Sequence, residues 1–245
     1  MSRVVVTGAA KGIGAGIVEA FARAGWSVVA VDRDRAPLEQ LASRVGGGVV
    51  TLAGDVAERS TNEAAVKLAV ERFGGLDAAV GNAGVALPKL IDDTTPDEFD
   101  RLFTINVKAL MYLAQVAHGA LAKRRGSLTI IASKTGLVAQ RDSPIYCATK
   151  GAAVQLARAL ALDWAPEGIR VNAVCPGIVD TPMLTEVIDA APDPAASRRE
   201  HERAQPLGRL ATPAEIASVV LFLATPAAGF VTGVALPVDG GFTAE

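Results

Sequence analysis

The 245-residue chain is poor in the residues from which metal centres and disulfide frameworks are built, with two cysteines and two histidines. Cys147 and Cys175 form no CxxC pair and have no metal-ligand spacing; two free thiols fit a reducing compartment, so a cytoplasmic protein is expected. His118 and His201 are too scattered for zinc; His118 reads as packed on a long helix and His201 as exposed. Aromatic residues are 4% of the chain, and the net charge of −2 is dispersed. That leaves no basic stripe for nucleic acid. The opening MSRVVVTGAAK has an apolar run cut short by Thr7, Gly8 and Lys11, too brief for a signal-peptide core. One uncharged stretch, residues 216–238, is long enough to span a bilayer. Pro226, Gly229, Thr232 and Gly233 break it, so it reads as a buried helix to about Ala224, a turn, and a strand from about Val231.

Apolar residues are in good supply. They make up 50% of the chain against 20% charged, which supports a sizeable core. Nothing reads as a linker, so residues 1–245 are expected to form one domain. RVVVT, SVVAVD, GVVTLA, DAAVG, SLTIIA and RVNAVC are short β-branched runs with helical stretches between them. The helices fall at residues 13–24, around Leu38 and Leu41, at 62–73 and, in one long piece, at 96–122. Strands without polar alternation are buried on both faces. The expected fold is therefore α/β, a single Rossmann-like, doubly wound parallel sheet of about seven strands flanked by helices on both faces.

The stretch SKTGLVAQRDSPIYCATK, residues 133–150, carries the chemistry. Tyr146 and Lys150 are four residues apart and share one face if YCATKGAAVQLARALALDW is a helix. Ser133 stands at the end of the strand SLTIIA. A tyrosine ionises near pH ~10, too high for a general base at neutrality. A nearby ammonium stabilises the phenolate, and a serine hydroxyl steadies a substrate oxygen. The trio points to proton transfer at an alcohol or carbonyl.

The first strand runs into TGAAKGIG, with Gly8, Gly12 and Gly14 opening the first helix. Glycines there allow a tight turn and the approach of a pyrophosphate to free helix amides. The GxxxGxG spacing differs from the usual GxGxxG fingerprint. Asp32 ends the second strand, where a carboxylate can accept from ribose hydroxyls and repel a 2′-phosphate. Lys11 and Arg33 are cations able to pair with that phosphate. NAD is expected over NADP.

Together TGAAKGIG, Asp55-Val56, Asn82-Ala83-Gly84, Asn106, Ser133, Tyr146-x3-Lys150 and PGIVDTPM resemble the short-chain dehydrogenase/reductase family over essentially the whole chain. The closing VTGVALPVDGG is similar to that family's C-terminus. The resemblance implies hydride transfer between NAD(H) and a secondary alcohol or ketone. Tyr146 would be the general acid/base, Lys150 would lower its pKa and bind the nicotinamide ribose, Ser133 would position the substrate oxygen, and Asn106 would bend its helix to hold a relay water. Gly8, Lys11, Gly12, Ile13 and Gly14 would cradle the cofactor's phosphates. Asp32 and Arg33 would face its ribose, and Asp55 and Val56 its adenine. Asn82, Ala83 and Gly84 would line it, and Pro176, Gly177, Val179 and Thr181 would meet the nicotinamide end. Gly81 stands where the family often has another Asn, which implies looser hydrogen bonding there. Residues 183–206 read as a mobile lid over the substrate. Gln140, Arg141 and Leu184 are substrate candidates, with Leu137, Val138 and Ile178 as further pocket positions. Arg198, Arg199 and Arg203 could bind an anionic substrate, and Arg141 could instead pair with Asp142. Family likeness also implies a homotetramer. Alternatives are an NADPH-dependent ketoacyl or carbonyl reductase, an epimerase or dehydratase that retains its cofactor, and a non-catalytic nucleotide-sensing module.

Overall fold

Successive strand residues point to opposite faces of a sheet, and in this chain both faces are apolar. In the computed structural model, which describes residues 1–244, the strands are β1 (Arg3–Thr7), β2 (Ser27–Asp32), β3 (Val49–Ala53), β4 (Ala78–Gly81), β5 (Ser127–Ile131), β6 (Arg170–Pro176) and β7 (Ala235–Val238). They form one sheet in the order β3-β2-β1-β4-β5-β6-β7, with every pairing parallel. The register aligns Val29, Val5, Ala79, Leu128 and Val171 across five strands. That row belongs to one buried core, while Val4, Val6, Val28, Ala30, Ala78 and Val80 belong to the core on the other face. Covering both faces is what the unbroken β-branched runs require.

The helices are α1 (Gly12–Arg23), α2 (Arg35–Val45), α3 (Arg59–Phe73), α4 (Pro96–Phe103), α5 (Ala109–Ala122), α6 (Pro144–Trp164), α7 (Pro182–Asp189), α8 (Pro194–Arg203) and α9 (Pro213–Ala224). The first core collects residues of α3, α5 and α6; the second collects those of α1, α2 and α9. α1 and α9 approach closely because Gly16 has no side chain, and a Cβ there would lie 2.9 Å from Pro213. α9 starts sharply at a capping box between Thr212 and Glu215. The Arg209 guanidinium and the Thr212 amide hold the Glu215 carboxyl down at about 2.

Two expectations are corrected. The long helix of residues 96–122 is interrupted: Thr104–Lys108 is a π-helical turn between α4 and α5. The last strand begins at Ala235 rather than near Val231. There the incoming chain is held by side chains of β6: Asn172 donates from Nδ2 to the Val231 carbonyl at 2.9 Å and accepts from Val234 N at 3.1 Å. No helix among the described residues is long and apolar enough to cross a membrane.

The strand order reverses between β1 and β4. Loops leaving their carboxyl ends diverge to opposite faces, which opens a crevice at that edge.

Candidate active site

The crevice floor is built from the loop between β1 and α1. Gly8 and Gly12 have φ of 63° and 54°, in the left-handed region. A Cβ on Gly14 would collide with the Gly8 carbonyl oxygen, and one on Gly8 would lie 2.7 Å from the backbone of Ala83. The loop is therefore closed against the segment that follows β4. Asn82 clamps the two together, donating from Nδ2 to the carbonyls of Thr7 (3.0 Å) and Gly8 (2.9 Å). The Thr7 hydroxyl accepts from Asn82 N at 3.1 Å. Gly81 does not loosen this joint as expected; a side chain there would run into Leu110, so the helix α5 needs the glycine. Lys11 precedes α1 without a side-chain cap, so the first helix amides stay free for an anion.

Asp32 orders the adjoining rim. Its Oδ2 accepts from Ala10 N at 2.9 Å and its Oδ1 from Asp34 N at 3.0 Å. The sequence reading missed Asp34. Lys11 donates to it at 3.0 Å and Arg33 lies 3.8 Å away. The Lys11 ammonium, with help from Arg33, lowers the Asp34 pKa. Both candidate cations for a 2′-phosphate thus already face a carboxylate. Asp55 is exposed and accepts from Ala57 N, while Val56 is buried.

On the other side of the crevice, Thr181 heads α7, and the position of a Gly12 Cβ would lie 3.2 Å from its methyl group. The loop carrying Pro176, Gly177 and Val179 is fixed by Gln205, another residue missed in the sequence. This buried amide accepts from Ile178 N at 2.9 Å and donates to the carbonyls of Ile178 and Arg209. A lone polar residue at the end of a charged helix offers no pattern from which that role could be read.

Ser133, Tyr146, Lys150 and Asn106 come together as expected. Ser133 lies beyond β5, its hydroxyl accepting from Thr135 N at 3.1 Å. Tyr146 stands in the first turn of α6, and burial pushes its phenol up to about 12, with the Ser133 hydroxyl pulling the other way. The expected depression by Lys150 is absent. The amine lies 5.8 Å from the ring centroid and donates to the Ile131 carbonyl at 3.0 Å. Burial brings it down to about 8. Lys150 Nζ and Asn106 Oδ1 both lie beside Gly84, each 3.4 Å from where its Cβ would be. Asn106 sits in the π turn and grips Val85 with both ends of its amide at 2.9 Å, donating further to Thr149 Oγ1 at 3.1 Å.

The substrate candidates are less convergent. Gln140, Arg141 and Asp142 are exposed, and the Arg141–Asp142 pair does not form. Leu184 is half-buried in α7. Arg198 binds Asp180 at 2.9 Å and Glu202 at 3.2 Å, while Arg199 and Arg203 point to solvent. His201 is half-buried rather than exposed, with Nδ1 2.8 Å from the Ser197 carbonyl. His118 stacks on Trp164 and meets Glu167 at 2.8 Å. No group of three or more His, Cys, Asp or Glu among the described residues is placed to hold a metal.

A family model described as enoyl-(acyl carrier protein) reductase matches residues 8–243. The chain is 41% identical over 239 residues to an L-fucose dehydrogenase of Oryctolagus cuniculus, covering 97% of this chain and 84% of that one. This chain belongs to the short-chain dehydrogenase/reductase family. Within that family it is also 36% identical to 2-(S)-hydroxypropyl-CoM dehydrogenase 3 of Xanthobacter autotrophicus, over 98% of this chain and 96% of the other. A 3-ketoacyl-(acyl-carrier-protein) reductase from Brucella melitensis, solved with NADH, superposes with a TM-score of 0.92 at 33% identity, covering 99% and 98% of the two chains. As a short-chain dehydrogenase/reductase the chain is an oxidoreductase.

Proposed function

We propose that this oxidoreductase uses NAD(H) to interconvert a secondary alcohol and a ketone, with Tyr146 as general acid/base. The observation that carries the reading is the meeting of Ser133, Tyr146 and Lys150, with the Lys150 amine beside Gly84 in the segment that packs on the glycine loop. That loop fits a dinucleotide: its glycines let it fold tightly against the segment after β4 and against Thr181, where any Cβ would be crowded, and the first amides of α1 have no side-chain cap and are free for a phosphate. Bound NAD would accept or return the hydride at its nicotinamide ring.

Every other step belongs to the chain. Gly8, Lys11, Gly12, Ile13 and Gly14 hold the pyrophosphate, and Asp32 keeps lone pairs for ribose hydroxyls. Asp55, Val56, Asn82, Ala83, Gly84, Pro176, Gly177, Val179 and Thr181 line the remaining length. Ser133 orients the substrate oxygen, and Tyr146 Oη takes the alcohol proton or gives one to the carbonyl. The phenol's high value without ligand makes it a poor base by itself, so ionisation needs positive charge nearby, which Lys150 supplies on engaging the site. The π turn at Asn106 removes main-chain groups from the helical ladder and leaves an acceptor for a relay water.

NAD is favoured because the Asp32 carboxylate would repel a 2′-phosphate and Asp34 engages Lys11 and Arg33, the two cations that could pair with one. The relatives named for L-fucose and for a hydroxypropyl group support a hydroxyl-bearing small molecule as substrate. The neighbour named as a ketoacyl reductase, solved with NADH, supports reduction of a ketone as the second reading; NADPH enters that reading only through Lys11 and Arg33, the two cations at the rim. Residues 1–245 act as one dinucleotide-binding and catalytic domain in this view, with residues 183–206 as its lid and the cytoplasm, where two free thiols persist, as its compartment. Cell fractionation checks the last point. Titration with NADH and NADPH tests the cofactor, and limited proteolysis of residues 183–206 during the same titration tests the lid. Tighter NADH binding with protection of that segment is expected; tighter NADPH binding moves the second reading to first place.

A further inference from the structure

Lys134 follows Ser133 in the short turn Lys134–Gly136, and the mechanism above gives it no task. It is only 6% exposed. Its ammonium lies 3.3 Å from the centroid of the Phe242 ring, whose face attracts the charge. No group among the described residues accepts a hydrogen bond from it. Asp239 lies close enough to favour the charged form. Its oxygens, however, are taken up by Gly241 N (3.0 Å), Thr243 N (3.0 Å) and Thr243 Oγ1 (2.7 Å). The contrast with Lys150 is plain, since that buried amine has the Ile131 carbonyl. The Lys134 ammonium is not fully enclosed and has no acceptor among the described residues, so its donors are met by solvent until a ligand oxygen replaces it.

The position suggests what meets those donors. Lys134 lies just past the carboxyl end of β5, Gly177 past that of β6, and Asp239 past that of β7. A Cβ on Gly177 would lie 3.0 Å from Cβ of Asp239, so these ends form one continuous wall. The wall borders Ser133 on the side away from the glycine loop. An alcohol held at Ser133 and Tyr146 would have this wall within reach.

Resting on the hydride-transfer reading, we propose that Lys134 is a specificity-determining residue whose ammonium donates to a second substrate oxygen. The enzyme thereby selects polyoxygenated alcohols, sugars or hydroxy acids, over simple secondary alcohols. Phe242 serves as the platform that holds the amine in place, which makes the C-terminal turn part of the substrate site.

The test compares kcat/KM with NAD for L-arabinose, 3-hydroxybutyrate and 2-butanol in the wild type and in Lys134→Met, which keeps the apolar contact with Phe242 and removes the donors. NADH affinity is followed separately by fluorescence. The ratio of the better oxygenated substrate to 2-butanol should fall by about 10- to 100-fold, the worth of a hydrogen bond to a charged donor. Preferential loss with L-arabinose assigns a hydroxyl as the acceptor, and with 3-hydroxybutyrate a carboxylate; either supports the proposal. An unchanged ratio overturns it, as does a uniform loss with a lowered melting temperature, the mark of a structural strut. Should Lys134→Met fail to fold, Lys134→Gln is read by the same ratio. A wild type that binds NADH yet oxidises none of the three overturns this proposal together with the hydride-transfer reading, whereas turnover with an unchanged ratio overturns only the role of Lys134.

Discussion

Burial moves Tyr146 and Lys150 in opposite directions, because it disfavours the anion of one and the cation of the other. For Lys150 the value in the folded protein is about 8, below the ordinary 10.5. Between these values the unfolded chain holds more protons, so stability rises with pH across that window and the cost of the buried cation is fully present below it. Lys150→Met removes this dependence while leaving the Ile131 carbonyl without its donor at every pH. The wild type should therefore gain in melting temperature relative to Lys150→Met as pH goes from about 8 to 10.5, the contribution of Lys134 being common to both proteins. A constant difference across that range would contradict the burial argument. Asp34 shows a different limit of reading by residue: Lys11 and Arg33 are visible cations in the sequence, but only the fold reveals that one carboxylate engages both.

The helix pair α4 and α5 is where a local irregularity positions the site. The π turn places Asn106 so that one amide side chain ties Val85, after β4, to Thr149 on α6. Asn106→Ala leaves the half-buried amide and carbonyl of Val85 without their partner, and should cost about 1–3 kcal/mol in urea unfolding; a loss below about 0.5 kcal/mol would show that the clamp is not structural. Strands and helices were legible because apolar β-branched runs and glycine-rich turns are local signals. A bend at Asn106 was expected from family likeness alone; its π geometry was not legible, since TINVK continues the helical pattern without a breaker. The start of β7 was misplaced for a related reason: Val231 and Val234 look like strand residues, yet the Val231 carbonyl and the Val234 amide bond to the Asn172 side chain, and of these groups only the Val234 carbonyl reaches the β6 backbone, at Ala173 N. Ser133, Tyr146 and Lys150 were legible as a set because their spacing is fixed within one strand-loop-helix segment. Gln205 and Asp34 act through tertiary contacts that leave no spacing to detect.

At the scale of the whole molecule, two apolar cores on one parallel sheet hold the crevice open at the β1–β4 reversal and bring a proton-transfer set to its edge. For the homotetramer that family likeness implies, light scattering should give about four times the 25.1 kDa protomer mass, and a monomer would remove that expectation. The central claim is that Tyr146 moves the proton while the rest of the crevice binds the cofactor. The most direct test is Tyr146→Phe, assayed for NADH formation with an alcohol the wild type oxidises and titrated with NADH in parallel. Turnover should fall by at least about 10³-fold, with the dissociation constant for NADH changed less than about threefold. Retained turnover, or equal loss of turnover and binding, would contradict the role assigned to the phenol.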